Sequence, residues 1–376
     1  MNALRRQRYL LDFILSSLLR RKGKNLGLLL IYSLVIFMLA SVMLFTQALK
    51  SEIGTVLEAS PEIILQRLEA GRHGLVSEAY LERIGRIRGV VKREGRLWGY
   101  FYDPAVKANY TLMADDGLGL GKTEVIIGHG IARTRGLIPG DYISFRGHDG
   151  DTYSFQVREL LDSDSELFSS DLVLMSPDSY RILFGIEPGW FTDIVLSVRN
   201  PREVGKIAEK VAERLPDTRP ILKQEIQRTY DAIFSWRQGI LFILLAGAVL
   251  AFVIFAWDRA SGLSAEERRE IAILKATGWE TGDVLQMKFW EGAVISLTAF
   301  LCGYLLAYLH VFYASASLFE PVLKGWAVLY PTFRLTPEVD GLQLATLFFF
   351  TVFPYVVATI VPIWRVSITD PDAVMR

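Results

Sequence analysis

The sequence contains one cysteine, Cys302, and four histidines in 376 residues. A single thiol excludes an internal disulfide and leaves no cysteine-based zinc or iron–sulfur site. Any domain outside the cytoplasm must therefore hold together by its core alone. His73, His129, His148 and His310 show neither HxxxH nor HxxE spacing, so local sequence assembles no metal-ligand set. No Gly-x-Ser-x-Gly elbow is present, and with it goes a common mark of a serine nucleophile. Net charge is missing too, since 41 Lys+Arg are balanced by 41 Asp+Glu. No basic patch interleaved with aromatics points to nucleic acid. What is abundant is apolar: 51% of residues are hydrophobic, only 22% are charged, and the mean hydropathy is +0.28. That balance excludes intrinsic disorder and makes membrane insertion the first expectation.

Charge is also absent locally. No Asp, Glu, Lys or Arg occurs in the 25 residues between Lys24 and Lys50, the 20 between Arg237 and Asp258, the 28 between Glu291 and Glu320, or the 24 between Asp340 and Arg365. A hydrocarbon core of ~30 Å needs roughly 20 helical residues, and Leu26–Thr46, Ile240–Trp257, Gly292–Phe312 and Leu342–Ile363 fit. A signal peptide fits the first stretch poorly, because it follows a 24-residue basic head and lacks a small-residue cleavage site.

The short segments set the orientation. Those before span one, between spans two and three, and after span four together hold 14 Lys/Arg, against only Lys324 and Arg334 between spans three and four. The positive-inside rule then places both termini and the middle loop in the cytoplasm. Segment 50–237 carries 25 Lys/Arg and 28 Asp/Glu, but segments of this length translocate regardless of charge. The other three place it outside. Glu291 and His310 are the ionisable groups nearest hydrocarbon, and both are expected near span ends within reach of water.

Span one reads as a helix that continues outward through Leu49, Ile53, Val56 and Leu57. Leu222, Ile226, Tyr230, Ile233 and Arg237 form a matching face before span two. Two such stalks flanking one domain could carry motion between membrane and domain. Between them the pattern is mixed α and β. Strands are predicted within Gly89–Ala114, broken at Asp103-Pro104, and at Glu124–Ile127, Asp141–Phe145, Tyr153–Leu161 and Asp193–Val198. Asn200 and Pro201 then open a helix with Val204, Ile207, Ala208, Val211, Ala212 and Leu215 on one face. Gly119-Leu120-Gly121-Lys122-Thr123 has the close of a phosphate-binding loop, but Asp116 stands where that motif needs glycine, so a turn is expected instead.

The head carries Leu4, Leu11, Ile14, Leu15 and Leu18 among arginines, which predicts a helix lying in the cytoplasmic interface and turning at Gly23 into span one. In the middle loop, Ser264-Ala265-Glu266-Glu267 has capping-box spacing, Lys275 suits a helix end and Gly278 a C-terminal cap. The result is a short cytoplasmic helix with Ile271 and Leu274 on one face, placed where a cytoplasmic motor could push it. The apolar outer loop Ala314–Tyr330 reads as an interfacial re-entry.

Glu267-Arg268-Arg269-Glu270-Ile271-Ala272-Ile273-Leu274-Lys275-Ala276-Thr277-Gly278 resembles the coupling-helix motif of FtsX-like ABC permeases, the type VII group that includes MacB-like macrolide exporters and lipoprotein-releasing permeases. The stretch from Pro362 to Arg376 is similar to that family's closing sequence, with Ile363-Trp364 in place of its usual Ala-Arg. Val125–Ala132 followed by Gly136–Asp141 resembles part of its periplasmic core domain.

The resemblance implies an α-helical membrane protein with four transmembrane helices and a mixed α/β extracytoplasmic domain inserted between helices 1 and 2. Its segments would be an interfacial helix 1–24, helix 1 at 25–48, a MacB-like periplasmic core domain with stalks at 49–237, and helix 2 at 238–257. A cytoplasmic loop with the coupling helix at 258–290, helix 3 at 291–313, an outer loop 314–340, helix 4 at 341–364 and a tail 365–376 would follow. It implies a bacterial cytoplasmic (inner) membrane protein that is itself no enzyme. Glu267, Arg268, Arg269, Glu270, Ile271, Leu274, Lys275 and Gly278 would meet a separate cytoplasmic ABC ATPase. ATP and Mg would belong to that partner, since this chain has no Walker A, signature or Walker B sequence on the cytoplasmic side. A second permease copy or paralogue, membrane lipid, and a periplasmic adaptor or substrate protein complete the implied partners. The expected work is mechanotransmission for export or extraction of a hydrophobic, peptide or lipoprotein substrate. The alternative is a signalling subunit that activates an extracytoplasmic hydrolase.

Overall fold

A computed structural model describes residues 3–20, 22–58, 60–161, 166–261, 265–319, 328–329 and 335–368, in places (chiefly 3–11, much of 233–256, 258–261, 265–268 and 365–368) by the backbone alone. The chain forms two units. One comprises Met1–Ala48, Ser235–Ala316 and Thr336–Arg376; the other comprises Leu49–Phe234 and Ser317–Leu335. In chain order the elements begin with α1 (Ala3–Arg20), α2 (Lys22–Glu58), β1 (Ile63–Glu69), β2 (Arg72–Gly74), β3 (Val76–Ser77), α3 (Ala79–Ile84), β4 (Val90–Arg96), β5 (Trp98–Asp103), β6 (Ala108–Ala114), β7 (Glu124–Ile127) and α4 (His129–Arg135). There follow β8 (Tyr142–Arg146), β9 (Thr152–Leu160), α5 (Glu166–Ser169), β10 (Leu172–Met175), α6 (Pro177–Phe184), β11 (Trp190–Phe191), β12 (Asp193–Val198), α7 (Val204–Arg214) and β13 (Thr218–Leu222). The last four are α8 (Lys223–Ser261), α9 (Ala265–Ala276), α10 (Thr281–Tyr308) and α11 (Gly341–Ile368).

Leu49–Phe234 builds two larger sheets and a two-stranded one, in which β11 pairs antiparallel with β3. The first is antiparallel in the order β13-β1-β12-β4, with β2 on β1. Its alternating apolar residues, Ile63 and Leu65 on β1 and Ile194 and Leu196 on β12, are buried against Tyr80 and Ile84 of α3 and Ile207 and Val211 of α7. The helix expected to open at Pro201 starts one turn later: Pro201–Glu203 is a 3₁₀ turn whose Arg202 amide donates to Asn200 Oδ1 at 3.1 Å, and α7 follows. The second sheet is mixed, in the order β5-β6-β10-β7-β9-β8. Tyr110, Leu112, Val125, Ile127, Val173 and Met175 fill its main core, and Ile126 and Leu174 face the other side, as the period-two alternation of strands requires. Leu329 packs on the main core. That corrects the reading of the outer loop as an interfacial re-entry at this residue; Val322, Leu323, Trp326, Ala327 and Tyr330 of the loop lie outside the described residues.

The two stalk segments pair. Strand β1, which follows α2, lies antiparallel to β13, which precedes α8, with Ile63 opposite Leu222. This brings Ile53, Leu57, Leu49, Ile226 and Tyr230 into one apolar cluster. Lys50 and Asp231 bridge it at 3.0 Å, and Lys223 Nζ donates to the carbonyls of Glu58 at 2.6 Å and Ser60 at 3.2 Å. With 37 and 39 residues, α2 and α8 are each roughly 55–60 Å long, well beyond the ~30 Å a bilayer core needs.

In the other unit, α10 is flanked by α2 and α11. Gly303 is where α2 comes close: a Cβ there would lie 2.7 Å from the Ser33 carbonyl oxygen. Tyr32 stacks on Tyr355 at 5.3 Å and donates its hydroxyl to the Thr351 carbonyl. Gln343 donates to Gln47 at 3.0 Å. Two expectations are corrected. Gly23 is already helical, the second residue of α2, and makes no turn. His310 is buried in a π-helical turn, Leu309–Tyr313, with Nδ1 3.2 Å from Ser41 Oγ, and does not open to water. Among the described residues, three helices are long and apolar enough to cross a membrane: Asn25–Glu58, Thr281–Tyr313 and Gly341–Val361. The expected second span, 238–257, lies in the unbroken helix α8, where much of it is described by backbone alone.

Candidate functional site

The sequence singles out the motif Glu267–Gly278, and the structure builds it into a corner. The motif is helical from Ala265, and Ser264 with the start of its capping box lies outside the described residues. The helix stops for a local reason. Gly278 adopts φ +96°, its amide donates to Lys275 O at 3.0 Å, and the Trp279 amide reaches back to Leu274 O at 3.0 Å. These two bonds form a Schellman motif, and they satisfy carbonyls that a helix end would otherwise leave open. The next helix starts at once: Glu280 and Asp283 form a reciprocal capping box at the head of α10. Only Thr277–Glu280 separate α9 from α10, and each end is closed by its own hydrogen bonds.

Side chains fasten the corner to the spans. Ile271 is 4% exposed and packs with Val284 and Leu285 of α10 and Ile363 of α11; Ala272 beside it is also buried. Leu274, Lys275 and Glu270 are half-buried, Arg269 and Gly278 are exposed, and Ile273 is 51% exposed. The side chains of Glu267 and Arg268 lie outside the described residues. The predicted residues therefore divide. Ile271 is turned inward and anchors the helix, whereas Arg269 and the unpredicted Ile273 are exposed. Sequence reasoning also passed over Trp279, Glu280 and Asp283. The spacing Glu-x-x-Asp directly after Gly278 was the available signal. Phe13 of α1 completes the corner, its ring 5.9 Å from that of Trp279.

Elsewhere the candidates have structural employment. In the loop resembling a phosphate-binding turn, the Gly121 amide donates to Glu124 Oε2 at 2.9 Å and Lys122 pairs with Asp178 at 3.0 Å. The groups that would hold a phosphate there are thus already engaged by carboxylates. Lys122, Asp178 and Arg181 also line an open cleft of about 430 Å³. Glu291 pairs with Lys288 at 2.5 Å. Buried Asp103 accepts from Tyr110 at 2.8 Å and pairs with Arg135, and buried Asp193 takes two bonds from Arg96, at 2.8 and 2.7 Å, with a third from Trp98 at 2.9 Å. Each carboxylate is balanced by an arginine, as burial of charge requires.

No curated protein matches the chain. The family model of the FtsX-like permease C-terminal domain matches residues 238–371, a stretch that runs from within α8 past the end of α11 and so contains the whole corner. Residues 238–371 are thus similar to the C-terminal domain of the FtsX-like permeases, which is consistent with an FtsX-like ABC permease.

Proposed function

We propose that the chain is the mechanotransmitting permease subunit of an ABC transporter in a bacterial inner membrane, with four spans, both termini in the cytoplasm and residues 49–237 outside. A separate cytoplasmic ATPase, which holds ATP and magnesium, presses on the exposed side of α9. The observation that carries this reading is the closed corner. A push on Arg269 and Ile273 cannot be absorbed by a loose loop, because Gly278 and the Glu280–Asp283 box close the junction and Ile271 fixes α9 to α10 and α11. The displacement passes to the spans, and α2 and α8, which continue into the paired stalk, deliver it to the outer sheets. A second permease copy or paralogue completes the membrane part, and the cargo is a hydrophobic, peptide or lipoprotein molecule.

Arg269→Glu with Ile273→Asp tests the contact, since both side chains are exposed and neither supports the fold. In the reconstituted complex with its ATPase, the double variant should insert normally and lose permease-stimulated ATP hydrolysis. Undiminished stimulation refutes docking at α9. Ile271→Asp is unsuitable for this purpose, because it places a charge in the apolar cluster under the helix.

A further inference from the structure

Helix α1 has two apolar faces, and the protein fills one. Ile14 is 1% exposed and α1 packs on α10, while Phe13 meets Trp279 and the Leu18 carbonyl accepts from Asn25 Nδ2 at 3.1 Å. Leu15 and Leu19, one turn apart, are 47% and 73% exposed. The first 24 residues carry seven Lys/Arg and a single acid, Asp12, and Arg20 and Lys22 are exposed. Paired exposed leucines beside this density of positive charge match the chemistry of an anionic headgroup layer: the leucines enter the acyl boundary and the cations meet phosphates. A neutral bilayer would accept the leucines and leave the charge unanswered.

The filled face lies on the coupling corner, so lipid on one side of α1 bears on Trp279 on the other. We infer that α1 makes the corner responsive to anionic lipid. With acidic headgroups bound, Ile14 stays packed and Phe13 stays against Trp279; without them α1 leaves the corner. The consequence for ATPase coupling rests on the function proposed above, but the lipid response itself does not.

The test uses the full chain with Cys302→Ser and a reporter cysteine on the packed face, Ile14→Cys or the near-isosteric Ser17→Cys. It is reconstituted in vesicles of phosphatidylcholine alone or with phosphatidylglycerol added. Labelling by a water-soluble maleimide should slow by about tenfold when phosphatidylglycerol is present, within the usual range of coupling between sites. High salt, which shortens the screening length from ~10 Å at 0.1 M to ~3 Å at 1 M, should restore fast labelling. Leu15→Asp with Leu19→Asp should abolish the response to phosphatidylglycerol. A Val284→Cys control, fully buried beneath α9, should stay unlabelled throughout and report an intact fold. Equal rates in both vesicles for both reporters, or a response that survives the two aspartates, overturns the inference. Labelling needs no ATPase, so that result leaves the coupling proposal standing, and loss of coupling in Arg269→Glu with Ile273→Asp leaves the lipid inference standing.

Discussion

The amide of Trp279 donates to the carbonyl of Leu274 across Gly278, at 3.0 Å. That bond closes the end of α9 and sets Trp279 beside Phe13 of α1. One residue thus joins α9, the helix α10 that follows it and α1 at the chain's beginning, so local backbone geometry at Gly278 has consequences across the whole corner.

Gly278→Ala tests this dependence. At φ +96° a side chain costs roughly 1–2 kcal/mol, and no neighbouring atom would clash with the added carbon, so the penalty is conformational. The variant should unfold at lower temperature in detergent and, on the function proposed above, stimulate the partner ATPase less, and Gly278→Val should be worse. Unchanged behaviour of both would show that the corner tolerates another backbone path.

In the stalk the apolar cluster should outweigh the ion pair. Lys50 and Asp231 are 42% and 55% exposed, and such pairs contribute about 0–1 kcal/mol. Ile53 and Leu57 are buried, and truncating such residues to alanine costs roughly 2–5 kcal/mol. Hydrogen exchange across residues 49–58 and 223–231 should rise strongly in Ile53→Ala and little in Asp231→Ala; the reverse order would make the ion pair the chief fastening.

Two glycines in the spans should behave oppositely. A Cβ at Gly303 meets the Ser33 carbonyl at 2.7 Å and Ile36 Cβ at 2.9 Å, whereas one at Gly27 meets nothing within 4 Å. Gly303→Ala must push α2 from α10 and should cost about 1–3 kcal/mol. Gly27→Ala should be neutral or slightly stabilising by helix propensity. Thermal unfolding of the two purified variants decides it.

The sheet-rich unit should weaken on the alkaline side through Tyr110. Burial, aided by the hydrogen bond to Asp103, pushes its hydroxyl from 10.0 up to about 12. The folded state thus favours the protonated phenol, so the contribution is complete below pH 10 and is lost as pH rises toward about 12. Tyr110→Phe should be less stable at neutral pH by about 1 kcal/mol, having lost one donor to Asp103. Its difference from the parent should shrink between those two pH values, and a difference that stays constant would contradict the assignment.

Much of the architecture follows from residues close together in sequence. Uncharged stretches marked the candidate spans, the short apolar runs at Glu124–Ile127 and Asp193–Val198 gave strands that the structure contains, and Gly278 was readable as a helix terminator because its conformation serves hydrogen bonds within five residues. The motif Glu267–Gly278 was legible for the same reason, being one continuous segment.

Direction and partnership were not legible. In Ile271-Ala272-Ile273-Leu274 the composition is apolar throughout, and only the arrival of Val284 and Ile363 decides that Ile271 is inside and Ile273 outside. The pairing of β1 with β13, the meeting of Phe13 with Trp279 and the enclosure of His310 by Ser41 likewise join residues far apart in the chain. Sequence alone determined where α9 stops and where the long helices avoid charge, because those outcomes depend on backbone bonds and solvation over a few residues. Tertiary structure decided which face of each helix is free to work, because burial belongs to the segment that comes to cover it.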